Sequence, residues 1–398
     1  MNIENIRKDF PVLQKKSNGK PVIYFDNACV SLRPVQVIEA MNEYYKEYPA
    51  CVSRSVHKLG AKATEKYNEA RRTIAKFINA GENEVIFTRN TTEGINLIAN
   101  SLGLKKDDAV VTSDKEHNSN LLPWQILSQR TGIKHKICRT NDDGTFNIEN
   151  FTREVRGARL VSVVHASNLD GYTNPVEEIT KTSHENNALV LLDAAQSTPH
   201  KKIDVKKLDV DFLAFSGHKM LGPSGIGILY GKAKLLRKLK HFIVGGDTVE
   251  DSTYTTADYL DIPEKFEAGL QNYAGAIGLS AAVNYLSKIG LDNIAEHENE
   301  LNKYITKEIE DFAEILGPEA GLRTSIISFN IKGIDPHEIA IILDNAANIM
   351  VRSGMHCVHS WFNNRKIKGS ARASLYLYNT KEEAKIFIEN LRRINKLK

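Results

Sequence analysis

Cysteine is scarce in this chain: only Cys29, Cys51, Cys138 and Cys357 occur among its 398 residues. None stands at Cys-x-x-Cys spacing, so neither a disulfide framework nor a zinc site is expected. Long apolar runs are missing too, and nothing approaches the roughly 20 residues of a membrane-spanning helix. Met1 to Phe10 is charged from Glu4 onward and lacks the hydrophobic segment of a secretory signal. Net charge is small, +4 from 53 basic and 49 acidic residues, and no basic block interleaved with aromatics stands out. Nucleic acid is therefore not an expected partner. These absences point to a reducing, cytoplasmic setting without metal or membrane.

What is present is ordinary globular material, 41% apolar and 26% charged. The length exceeds what one hydrophobic core usually serves, so two domains are expected. Between about residues 22 and 227, short β-branched strands alternate with amphipathic segments, the pattern of a parallel α/β sheet. Val85 to Thr88, Ala109 to Thr112, Leu160 to Val164, Leu189 to Leu192 and Phe212 to Phe215 are the strands. Ligand sites in such sheets lie beyond the carboxyl ends of the strands. Thr91, His117, Asn168, Asp193, Ser216 and Lys219 all fall there. After about Gly269 the texture changes: helices over Ala274 to Ile289 and Asn293 to Ile315, then strands near Ile326 to Ile331 and Ala373 to Tyr378. Thr380 and Glu383 are spaced as a capping box for a C-terminal helix. The expected division is a large domain over residues 22–280 and a small α+β domain from residues 1–21 and 281–398.

Two strand ends carry candidate chemistry. Asp211 to Phe215 runs into Ser216-Gly217-His218-Lys219, and Ala188 to Leu192 runs into Asp193. A lysine at the lip of a buried strand can be desolvated, its pKa lowered and its amine used as nucleophile or base. Most lysines are solvated surface residues, so the weight rests on the pair. A Schiff-base lysine at Lys219 and an acid at Asp193 holding a pyridinium nitrogen form the arrangement of a pyridoxal-phosphate enzyme. Thr91 and Thr92 open a helix, whose free N–H groups and positive dipole end suit a phosphate, although simple capping reads equally well. Cys357 is the remaining candidate. Free cysteines are most often buried and inert. Here Arg352, Ser353, Gly354, His356 and His359 surround it, a setting that favours thiolate and an accessible loop.

Six segments carry a family resemblance: Asn90-Thr91-Thr92-Glu93-Gly94, Glu116-His117-Asn118, His165-Ala166-Ser167-Asn168, Asp193-Ala194-Ala195-Gln196, Ser216-Gly217-His218-Lys219 and Arg352-Ser353-Gly354-Met355-His356-Cys357. In this order the chain resembles the class V, fold-type I pyridoxal-phosphate enzymes, and within them the SufS-like (group II) cysteine desulfurases. The resemblance implies an α/β fold with a large, mainly parallel seven-stranded sheet domain and a smaller α+β domain. It implies conversion of L-cysteine to L-alanine, with sulfur captured as a persulfide on Cys357. A sulfur-acceptor or scaffold protein of iron–sulfur or thio-cofactor assembly, and a homodimer, are the implied partners. Selenocysteine lyase, or another class V lyase or aminotransferase, is the rival within the same class.

The resemblance also assigns roles. Thr92, Ser216 and His218, with Thr91, hold the cofactor phosphate, and His117 stacks on the ring and can move protons. Asp193 pairs with the ring nitrogen, while Asn168 and Gln196 hold the 3′-oxygen. Arg372 clamps the substrate carboxylate, with Arg352 and Asn168 also at the substrate. Three positions depart from the family pattern. Met355 stands where a histidine is usual, and Leu270, in Gly269-Leu270-Gln271-Asn272, replaces a threonine that reaches the partner subunit's phosphate. Cys29 replaces a small residue near the pocket, and His57 matches a histidine of unassigned weight.

Overall fold

The seven-stranded sheet comes from strands that bury both faces. The computed structural model describes residues 1–17 and 19–397. In chain order the strands are β1 (Val85–Thr88), β2 (Ala109–Ser113), β3 (Lys134–Cys138), β4 (Ala158–Val164), β5 (Leu189–Asp193), β6 (Phe212–Ser216) and β7 (Gly227–Gly231). Their spatial order is β1-β7-β6-β5-β4-β2-β3. Only β7 runs antiparallel to its neighbours. Successive residues serve opposite cores. Val111, Val161 and Leu213 enter one apolar cluster, and Val110, Leu160, Phe212 and Ala214 enter another. Such strands read as continuous apolar runs because helices cover both faces.

Two strands of this sheet escaped the sequence reading, Lys134–Cys138 and Gly227–Gly231. Lys134–Cys138 sits at the edge of the sheet, with Lys134 exposed and Lys136 half-buried. Lysines on an edge strand discourage pairing with another chain, and they also erase the apolar signature.

A second sheet has the order β8-β9-β11-β10, built from β8 (Glu314–Leu316), β9 (Ile326–Asn330), β10 (Arg352–Gly354) and β11 (Ser370–Ser374). Helices Leu291–Ile309 and Lys381–Asn395 lie with it around a separate core containing Leu301, Ile327, Phe329, Ala373 and Phe387. That core also takes in Ile23 and Phe25, since Ile23–Tyr24 pairs with Ile349–Met350. Two boundaries differ from expectation. The helix expected to reach Ile315 stops at Ile309, because Glu314–Leu316 turns back to pair with Ser328–Asn330. The strand expected over Ala373 to Tyr378 is Ser370–Ser374. Tyr376 and Tyr378 leave the sheet and fill the larger core instead, with the Tyr376 hydroxyl donating to Pro199 O at 3.1 Å. The capping box of Thr380 and Glu383 is present at the start of the C-terminal helix.

A buried ion pair ties the sheet to its covering helix. Arg71 donates to both carboxylate oxygens of Glu267, each at 2.8 Å, and to Val85 O at 2.6 Å. Glu267 also accepts from Phe87 N and from the Tyr67 hydroxyl. Removing one partner of such a pair leaves an uncompensated buried charge. Glu267→Ala is expected to cost about 3–5 kcal/mol, read as a lowered Tm. An unchanged Tm would show the network to be energetically neutral.

Candidate active site

The carboxyl ends of β1, β4, β5 and β6 open on one side, and the second sheet closes over them. Thr91, Thr92, His117, Asn168, Asp193, Gln196, Ser216, His218, Lys219, Arg352, Cys357 and Arg372 line a single cavity of about 250 Å3 there. Every candidate from the sequence is therefore brought together. Among the described residues no group of His, Cys, Asp or Glu is arranged to hold a metal ion.

Thr91 begins the helix Thr91–Ser101, capped by Asn90. Its backbone N–H donates to Ser216 Oγ at 2.9 Å, and the two hydroxyls lie 2.7 Å apart. Close packing holds this helix start against β7: a Cβ on Gly227 would come within 2.6 Å of Asn90 Cα. Glycine is the residue that permits that approach. Thr92 Oγ1 lies 2.7 Å from Ser119 Oγ on the next helix, Asn118–Thr131.

His117 caps that second helix, its Nδ1 accepting from Ser119 N at 3.0 Å. The bond orients the ring and leaves Nε2 for the cavity. Burial, then the charges of Lys219 and Arg372, push its pKa down to about 3. A neutral imidazole follows across the working pH range.

Lys219 follows β6 in the tight turn Gly217–Lys219. Desolvation lowers its pKa, with Asp193 opposing and Arg372 assisting the shift. Asp193, the last residue of β5, is buried and accepts from Ala195 N at 3.0 Å. Desolvation raises its pKa, opposed by that bond and by Lys219. A cation brought against Asp193 would reverse the shift. Gln196 donates to Ala28 O and Asn168 to His356 O, each at 2.7 Å. Their oxygens, Gln196 Oε1 and Asn168 Oδ1, are buried without a partner, as is Arg372 Nε.

The second sheet supplies both arginines. Arg352 and Arg372 stand directly opposite each other on β10 and β11, and like charges so placed repel. Asp26 lies between them, 3.0 Å from Arg352 Nη2 and 3.6 Å from Arg372 Nη2. Sequence reasoning missed Asp26. The signal was available, because Ile23-Tyr24-Phe25-Asp26 is an apolar stretch ending in a carboxylate, the pattern that singled out Asp193. Arg372 is buried, donates to Asn168 O at 2.8 Å, and loses basicity to desolvation.

Cys357 is exposed on the loop between β10 and the helix His359–Arg365. His356 and Cys357 both adopt left-handed backbone, φ 49° and 59°. Such angles cost about 1–3 kcal/mol each in non-glycine residues and persist only where surroundings impose them. Here Cys357 O accepts from Asn118 N at 2.7 Å, and His356 Nε2 lies 2.9 Å from buried Ser370 Oγ. Met355 packs against Leu169, Val358 and Trp361, an apolar role in place of an imidazole. His57 caps the helix Lys58–Phe77 and is exposed. Leu270 is 72% exposed.

Desolvation also pushes His165 to about 3, His218 to about 4 and His356 to about 2. Each folded-state pKa lies below the unfolded value of about 6.5. As pH falls through that value the unfolded chain binds protons that the folded chain does not, so stability present above it is lost. Tm is expected to fall steadily on acidification from about pH 7 to about pH 4. A Tm that holds or rises over that interval would contradict the burial of these rings.

The family description Aminotransferase class-V matches residues 23–387. A probable cysteine desulfurase of Pyrococcus abyssi is 44% identical over 401 residues, covering 99% of this chain and 98% of the relative. Another, from Halalkalibacterium halodurans, is 42% identical over 400 residues with the same coverage of 99% and 98%. The solved apo structure of a cysteine desulfurase from Thermococcus onnurineus superposes with a TM-score of 0.96 at 41% identity, covering 99% of this chain and 98% of that one. The chain belongs to the class V aminotransferase family and, within it, groups with the cysteine desulfurases.

Proposed function

We propose that the protein is a pyridoxal-phosphate-dependent cysteine desulfurase that moves sulfur from L-cysteine to Cys357 and releases L-alanine. The observation that carries this reading is an exposed thiol, Cys357, on the wall of the cavity that contains Lys219, Asp193 and Arg372.

The cavity fits the cofactor. The unpartnered buried oxygens of Asn168 and Gln196 suit a ring hydroxyl, and Asp193 needs a cation such as a protonated ring nitrogen. Thr91, Thr92, Ser216 and His218 would hold the phosphate at a helix N-terminus, and His117 would lie over the ring. Bound there, pyridoxal 5′-phosphate supplies an electron sink for charge developing at the substrate Cα.

The protein's own groups account for the remaining steps. Lys219, its basicity lowered by burial, would bind the cofactor through its amine, take the proton from Cα when released, and return it. The Arg372 guanidinium would clamp the α-carboxylate, with Arg352 and Asn168 beside it. The Cys357 thiolate would attack the substrate sulfur as the Cβ–S bond breaks. Substrate and thiol then balance as L-alanine and a Cys357 persulfide. The reading extends to a cytoplasmic homodimer that hands its sulfur to an acceptor protein of iron–sulfur or thio-cofactor assembly. All four cysteines are free, and among the described residues no helix is long and apolar enough to cross a membrane.

Cys357→Ala tests the reading. Alanine formation from L-cysteine is expected to fall about 10²-fold, because the positioned nucleophile is lost. Wild-type rates in that variant would rule out sulfur capture by Cys357.

A further inference from the structure

Cys29 is a second thiol on the wall of the same cavity, and the proposed chemistry does not use it. Cys138 is buried elsewhere, and Cys51 lies 3.9 Å from the Tyr273 hydroxyl. Cys29 is half-buried on the loop after Ile23–Tyr24. Fixed points hold that loop on both sides of the thiol. Gln196 donates to Ala28 O at 2.7 Å, Ala28 N donates to Ser374 Oγ at 2.9 Å, and Ser31 N donates to His218 O at 3.0 Å. Cys29 is thereby anchored beside the turn that carries Lys219.

The loop is also tied to the segment bearing Cys357. Asp26, three residues before Cys29, pairs with Arg352, five residues before Cys357, at 3.0 Å. Both sulfurs lie near enough to Lys219 and Arg372 that a thiolate at either would favour the protonated form of each. Asn168 and Arg372, each with an unpartnered buried polar atom, line the cavity that the two thiols share. The two left-handed residues at His356 and Cys357 place strain in the segment that carries one of the two thiols.

We infer that Cys29 is a resolving thiol for the sulfur carried on Cys357. The inference rests on the desulfurase reading for the origin of that sulfur. The Cys29 thiolate attacks Cys357 Sγ, the sulfur–sulfur bond of the persulfide breaks, and hydrosulfide leaves with the bonding pair. The product is a Cys29–Cys357 disulfide. The terminal sulfur is reduced to sulfide as the two cysteines are oxidised, so no outside oxidant enters. Thiol–disulfide exchange of this kind depends on attacking thiolate and leaving group, and hydrosulfide is a competent leaving group. An external dithiol then restores both thiols. Sulfide release thus becomes possible without a protein acceptor.

The test is a single turnover of the holoenzyme with one equivalent of L-cysteine per active site, in the absence of other thiols. The reaction is followed by alkylation, peptide mass mapping, and assays of alanine and sulfide. The expected result is a Cys29–Cys357 linked peptide and sulfide released in step with alanine. In Cys29→Ser, sulfide per alanine is expected to fall about tenfold while the persulfide persists on Cys357. Alanine without the linked peptide, or an unchanged sulfide-to-alanine ratio in Cys29→Ser, overturns the inference and leaves the desulfurase reading intact. Absence of alanine from the wild-type protein overturns that reading, and the resolving step falls with it.

Discussion

Replacing Lys219 by alanine is expected to lower alanine formation from L-cysteine by about 10⁴-fold, the upper range for loss of a positioned acid–base group. The expectation follows from its surroundings. Among the described residues, Lys219 is the only lysine lining the cavity. Desolvation lowers its pKa, which favours the neutral amine needed to take a proton. Asp193 opposes that shift, but its carboxyl is itself pushed toward the neutral form by burial. Lys219→Arg separates charge from chemistry. Guanidinium keeps the cation but cannot give up its proton, so this variant should be as inactive as alanine. Both should keep wild-type secondary structure by circular dichroism. Turnover within about tenfold of wild type in either would remove Lys219 from the reaction.

Arg372→Ala is expected to lower kcat/KM for L-cysteine by about 10³-fold, the equivalent of roughly 4 kcal/mol from two charge-assisted hydrogen bonds. The guanidinium is buried, donates one bond to Asn168 O, and keeps Nε unpartnered. A buried donor without a partner is costly in a resting protein, and a substrate carboxylate would relieve it. Removing Arg372 also removes the repulsion of the facing Arg352 while Asp26 keeps its closer partner at 3.0 Å. The effect should therefore appear in substrate affinity more than in Tm. Arg372→Lys keeps the charge without the planar fork and should fall between the two. A large loss of Tm with unchanged kcat/KM would make Arg372 a structural residue.

How much of this was legible beforehand depended on burial. β2, β4, β5 and β6 are apolar because helices cover both faces, and their runs were read to within a residue or two. Lys134–Cys138 was invisible because an edge strand is selected for lysine, and Gly227–Gly231 was hidden behind a glycine-rich turn. The candidate site residues were visible as polar groups ending apolar strands, and the fold gathers all twelve around one cavity. Asp26 was missed although it obeys the same pattern, because nothing local reveals that two arginines distant in sequence face each other across a strand pair. The exit of Tyr376 and Tyr378 from their sheet was illegible for a similar reason. It is settled by the larger core, to which Tyr376 and Tyr378 are delivered by a long-range connection.

Lys219, Asp193 and Arg372 account for binding and proton movement at Cα, and Cys357 gives the proposed reaction its product. The most direct measurement is the mass of each cysteine-containing peptide after the holoenzyme meets L-cysteine and is quenched with an alkylating agent. The account predicts that sulfur passes through Cys357: a mass gain of one sulfur atom on its peptide, or the Cys29–Cys357 linked peptide that follows from it, formed together with alanine and absent from Cys357→Ala. Alanine produced with neither added sulfur on Cys357 nor a Cys29–Cys357 linked peptide would contradict it.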